Sequence, residues 1–165
     1  MPSSEEAFKA CREEKTPNLE NILLEQTTTG LSSYGATVVA ASLYGQLVHH
    51  LHRKNNKNCL EDLVNGHYWQ RHRELDSLFS KWLMILPSSL RFKRENEDCN
   101  TFFANLNFQA LIVCLHQAAI VKAELFKLDA GISRHSQQRS DAASEEIVRL
   151  MRLVPKSSRF RVSDL

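Results

Sequence analysis

The sequence predicts an all-α fold, an irregular multi-helix bundle around a long, buried central helix. Three observations carry this. Between Trp69 and Leu86, the residues Leu75, Leu78, Phe79, Trp82, Leu83 and Leu86 recur on one side at helical spacing, while Glu74, Ser77, Ser80 and Lys81 take the other. From Cys99 to Val121 the chain holds no Asp, Glu, Lys or Arg and is apolar nearly all round, the pattern of a helix in the middle of a domain. Alternating apolar and polar runs are missing, and five Gly and four Pro leave little material for a turn-rich β architecture.

Taken in order, residues 1–32 read as a weakly periodic lead-in segment. Ser3 with Glu6 offers a capping box for a short turn holding Ala7 and Phe8, and Asn18–Gln26 holds one brief helix. Residues 33–154 form the helical domain. Its first long helix starts at the N-cap Ser33 and runs to about Arg53. Ala40, Ala41, Ser42 and Gly45 allow a neighbour to come close, and Val38, Leu47, Val48 and Leu51 add bulk. The second runs from Leu63 or Tyr68 to Leu86, where Pro87 ends it by lacking an N–H and restricting the residue before it.

The third helix spans about Glu97 to Leu128. Phe102, Leu106, Val113 and Ile120 lie on one side, Leu111, Leu115 and Phe126 on another, and Cys114 is expected on a buried face. The fourth runs from Ser136 or Ser140 to Val154 and buries Ala143, Ile147, Leu150, Met151 and Val154. Asp141 near its start and Arg149 and Arg152 near its end suit the helix dipole, and Pro155 stops it. Residues 155–165 read as a disordered tail.

At 165 residues the chain suits a single domain with a real core. The formal charge of +2 is too small to argue for nucleic acid or an anionic membrane. Cys99–Val121 is long enough to span a bilayer, but Asn100, Asn105, Asn107, Gln109, His116 and Gln117 load it with groups that hydrocarbon would leave unpaired, so no membrane partner is expected. The four cysteines form no CxxC pair, which fits reduced thiols inside a cell.

Enzymatic signatures are missing: there is no GxSxG elbow, Gly-rich phosphate loop or HExxH helix, so no catalytic residue or cofactor is assigned. His49, His50 and His52, then Cys59, His67 and His72, invite a metal hypothesis. No short paired spacing anchors a site, and the bland reading, polar groups at a helix end, is preferred. Arg91, Lys93 and Arg94 flank Phe92, but Glu95, Glu97 and Asp98 cancel much of their field, which favours a solvated loop. Glu145 and Arg149 fit an i,i+4 surface pair. Gln109, His116 and Gln117 are polar on a helix read as buried. They are the candidate polar network or ligand pocket, because buried polar groups must be paired.

Several segments together resemble the regulatory region (middle homology, or fungal-specific transcription factor, domain) of fungal binuclear zinc cluster transcription factors. Pro2–Phe8 (PSSEEAF) looks like its Pro-x-x-Glu-Glu-Ala-Phe opening, and Ala40–Arg53 (AASLYGQLVHHLHR) is similar to its small-residue helix. Trp82–Leu90 (WLMILPSSL) resembles its Trp-x-x-x-Leu-Pro-x-x-Leu segment. Phe108–Ala119 (FQALIVCLHQAA) looks like its central helix, and Ser140–Leu150 (SDAASEEIVRL) like the helix that follows. The order of these motifs, more than any one of them, carries the resemblance.

Two features depart from the family. Phe126, Lys127 and Leu128 stand where the family often has Arg-Pro, and four scattered cysteines cannot supply the six thiolates of the binuclear zinc cluster. The resemblance implies a fragment of a nuclear transcription regulator whose zinc and DNA contacts belong to a module outside this chain. Its implied partners are proteins or the rest of the factor, with a homodimer possible. A stand-alone helical interaction or small-ligand-binding module is the alternative. A fragment should also leave apolar faces of the third and fourth long helices uncovered.

Overall fold

A computed structural model describes residues 1–52, 66–94 and 98–154. Among the described residues the fold is all helical, without strands. Two short helices, α1 (Glu5–Lys9) and α2 (Leu19–Glu25), precede four long ones: α3 (Ser33–His52), α4 (His67–Ile85), α5 (Cys99–Leu125) and α6 (Ala130–Leu153). A 3₁₀ turn, Ser88–Leu90, follows α4. The expected tail, residues 155–165, and Cys59 lie outside the described residues.

Helix α5 is the long central helix. It packs against α3, α4 and α6 and joins α6 in an antiparallel hairpin. Asp98 starts it, its carboxylate accepting the backbone N–H groups of Asn100 and Thr101 and the Thr101 hydroxyl. It stops at Leu125, three residues short of expectation. Lys127 turns into the left-handed region (φ 51°), so that its N–H reaches the Glu124 carbonyl and the Leu128 N–H reaches that of Ala123. This is a Schellman closure, with lysine where glycine is usual.

The core follows the α4 face that the sequence predicts. Leu75, Phe79, Trp82 and Leu86 are buried, and the Trp82 ring stacks on Phe108 of α5 at 6.4 Å between centroids. Leu43 and Leu47 from α3, Leu111 and Leu115 from α5, and Ile22 from α2 complete the cluster. The lead-in segment therefore reaches the core, anchored by the Asn18 side chain that caps α2. Arg91 closes α4, its guanidinium donating to the carbonyls of Leu83, Met84 and Leu86, while Phe92 is buried against Phe102. By length and composition alone α5 is apolar enough to cross a membrane, but here it has one face buried within the bundle.

Several finer expectations are corrected. Ser4, not Ser3, caps α1 by accepting from the Ala7 N–H. The small residues of α3 that permit close packing are Ala36 and Ala40, whereas Ala41 and Gly45 face outward. Cys114 is exposed, because a helix apolar all round does not announce which side faces in. Phe102, Leu106, Val113 and Ile120 are half-buried, flanking a fully buried row of Ala104, Phe108, Leu111, Leu115 and Ala119.

Helix α6 begins at Ala130, with Asp129 as its cap, so Asp141 sits mid-helix rather than near the start. Met151 is exposed, and Ile147 and Val154 are half-buried, which leaves Ala143 and Leu150 as the buried members of the predicted stripe. Arg149 pairs with Glu146 through two hydrogen bonds of 2.6 Å each, not with Glu145.

Candidate functional site

Helices α4, α5 and α6 bring together a polar cluster. His116 is fully buried on α5, and its Nε2 lies 3.2 Å from Oδ1 of Asp76 on α4. Arg139 of α6 donates through Nη2 to the same carboxylate oxygen and to the Ser80 hydroxyl, each at 2.6 Å. Asp76 and Ser80 are four residues apart, so one face of α4 presents both to α6. At the next residue of α6, the Ser140 hydroxyl accepts from the Gln117 amide at 3.0 Å.

The candidate trio of the sequence is thus divided. His116 and Gln117 do bond across helices, but to Asp76 and Ser140 respectively. Gln109 is half-buried two turns before His116 and makes no hydrogen bond among the described residues. Sequence reasoning missed Asp76 and Arg139. Asp76 lies among charged residues that read as solvated, and its partner is 63 residues away. The one available signal was the Asp76–Ser80 spacing beside an apolar face.

Aromatic and imidazole rings extend the cluster toward α3. His72 meets His116 edge-on at 5.2 Å between centroids and Trp69 at 5.6 Å. Tyr68 stacks on His50 at 4.5 Å, with the Lys122 ammonium 3.7 Å above the Tyr68 ring. His50 and His72 are buried, while His49, His52 and His67 are exposed. The helix-end histidines therefore do not behave as one group. Among the described residues, no three His, Cys, Asp or Glu side chains converge to hold a metal ion.

The electrostatics follow from burial. Desolvation, with Arg71, Lys122 and His67 nearby, lowers His50 to about 4. Desolvation and His116 lower His72 to about 4 against the opposing pull of Asp76. Burial pushes the Tyr68 hydroxyl up to about 12. Burial would also raise Asp76, but the hydrogen bonds from His116 and Arg139 and the Arg139 charge outweigh it, and its carboxyl is held well below the usual range. At neutral pH the cluster is a carboxylate clamped by a guanidinium, with the neutral rings of His50 and His72 behind it. It pins three helices together. A fully buried His116 cannot meet a substrate unless those helices part.

Two surface depressions flank the cluster. One, of about 340 Å³, is bounded by His49, His50, His67, Tyr68, Gln70, Arg71 and Glu74. The other lies over Gln26, Arg73, Ser77 and Lys81. Gln109, His116 and Gln117 line neither.

No family model matches the chain, and no solved structure matches it at a significant level. A curated protein, the pigment biosynthesis transcriptional activator pigB of Monascus ruber, is 27% identical over 152 residues. That alignment takes in 91% of this chain and 27% of the relative, so the chain spans about a quarter of the relative's length.

Proposed function

We propose that this chain is part of the regulatory region of a fungal transcription factor. In this reading it acts in the nucleus, in the regulation of DNA-templated transcription, through contacts with proteins or with the remainder of its own regulator. The observation that carries the reading is the similarity along nine-tenths of the chain to a transcriptional activator. The fold agrees with such a role. Its most polar cluster fastens helices to one another, and Arg91, the first residue of its densest basic run, is used to close α4. With four cysteines in all, DNA contact and zinc belong to a module that this sequence does not encode.

Tethering tests this directly. The chain is fused to an unrelated DNA-binding domain in a fungal host, and reporter transcription is compared with that domain alone and with the domain carrying an added activation segment. A regulatory region changes at least one of the two outputs several-fold. Unchanged output from both fusions, with the protein present in the nucleus, defeats the reading. The α3–α4 depression favours a second reading, a small-ligand module, since its volume is at the lower end of known ligand sites. A ligand that raises the melting temperature while both fusions stay silent selects that reading.

A further inference from the structure

The outward face of α5 is an uncharged stripe that the described residues leave largely uncovered. Phe103, Asn107, Ala110, Cys114, Ala118, Val121 and Leu125 follow one another at intervals of three and four residues and so share one side of the helix. Phe103 is 50% exposed, Val121 62% and Leu125 73%. The stripe is also nearly symmetric about its middle. Phe103 and Leu125 stand eleven residues either side of Cys114, Asn107 and Val121 seven, and Ala110 and Ala118 four.

We propose that this face binds a second copy of the same chain, with the two α5 helices antiparallel and Cys114 at the two-fold axis. An isologous contact places each residue against the one equally far on the other side of the axis. Here that sets Phe103 against Leu125 and Asn107 against Val121, large groups at both ends, and alanines on either side of the cysteine. The small centre lets the backbones come close. No Asp, Glu, Lys or Arg occurs from Cys99 to Val121, so the antiparallel pairing brings no like charges together along that length.

A helix of 27 residues is about 40 Å long, and a strip about 10 Å wide gives roughly 800 Å² of total contact from α5 alone. That is below the roughly 1,200 Å² at which stable interfaces begin and falls among weak, transient contacts, so a reversible dimer that forms only at high concentration is expected.

Sedimentation equilibrium of the whole chain is the test, since its mass of 18.9 kDa should double with concentration. Val121→Glu and Asn107→Lys, each at an outward position, should weaken the dimer at least tenfold without changing the helical circular dichroism. The double variant Asn107→Lys with Val121→Glu should restore it, because in this register each new cation meets the new anion of the other copy. The two positions are fourteen residues apart on one helix, too far to pair within a chain. Oxidation of a variant retaining only Cys114 should give a covalent dimer, and one retaining only Cys11 should not. A chain that stays monomeric at high concentration overturns the proposal, as does a dimer indifferent to both single variants or a double variant that is not restored. A monomer that instead sediments with phosphatidylcholine vesicles assigns the stripe to a membrane and overturns it equally.

Discussion

The two halves of α5 meet their neighbours by different means. Toward its start, Ala104, Phe108 and Leu111 enter a continuous apolar cluster with Phe79 and Trp82 of α4 and Leu43 and Leu47 of α3. Toward its end, His116 and Gln117 bond polar groups on α4 and α6, and Ala119 and Ala123 form a small separate cluster with Trp69. The first half is held by non-directional burial, which scales with area and is insensitive to pH. The second half is held by directional bonds and borders the buried rings of His50 and His72, which must stay neutral. Burial makes the bundle stable, while the polar half fixes which helix faces which, and each half should fail under a different stress.

The largest effect is expected in the apolar half. Trp82 is fully buried, and truncation removes the ring stacked on Phe108 and leaves a cavity in the core. Trp82→Ala should cost about 3–5 kcal/mol, seen as an earlier urea midpoint with an unchanged slope. Because the loss is apolar, it should be the same at pH 7 and pH 5.5. A loss that grows on acidification would tie the two halves together more closely than the packing implies.

Acid should break the other half. His50 and His72 titrate near 4 in the fold against 6.5 for an unburied histidine, so the unfolded chain takes up protons first as pH falls. Their stabilising effect is complete above 6.5 and is lost progressively down to about 4. Between pH 7 and pH 5.5 each ring should cost about 1 kcal/mol, or about 2 kcal/mol for both. Asp76 acts in the same direction but later, since its lowered carboxyl gives up stability only below the ordinary aspartate value. Chemical denaturation across this range, repeated on His72→Phe, should show a shallower slope in the variant. An identical slope would remove the buried imidazole from the account.

The same division decides what could be read from the sequence. Burial leaves a periodic trace, so the α4 face, the Pro87 stop and the existence of a long uncharged helix were all legible. Polar fastening leaves little beyond the Asp76–Ser80 spacing. Asp76 and Arg139 look like ordinary surface charges until the chain is folded and their partners appear. The first turns of α6 were hidden for a related reason. Ser136 and Ser140 are buried but polar, so the segment before Ala143 lacks the apolar repeat that marks a helix, and the Asp129 cap was the only cue. Cys114 shows the opposite limit, since in a helix with no polar face composition cannot tell inside from outside.

The smallest effect is expected where neither half is involved. Gly45 lies in the interior of α3, faces outward, and an added Cβ there would meet nothing within 4 Å. Glycine in a helix interior costs roughly 0.5–1 kcal/mol relative to alanine, because the unfolded chain keeps more backbone freedom. Gly45→Ala should therefore stabilise the bundle by about that amount at pH 7 and at pH 5.5 alike. Scanning calorimetry at both values separates the possibilities. An equal gain shows that α3 contributes helix propensity independently of the histidines it carries. A gain confined to neutral pH would mean that the His50 end of α3 opens before the rest of the helix does.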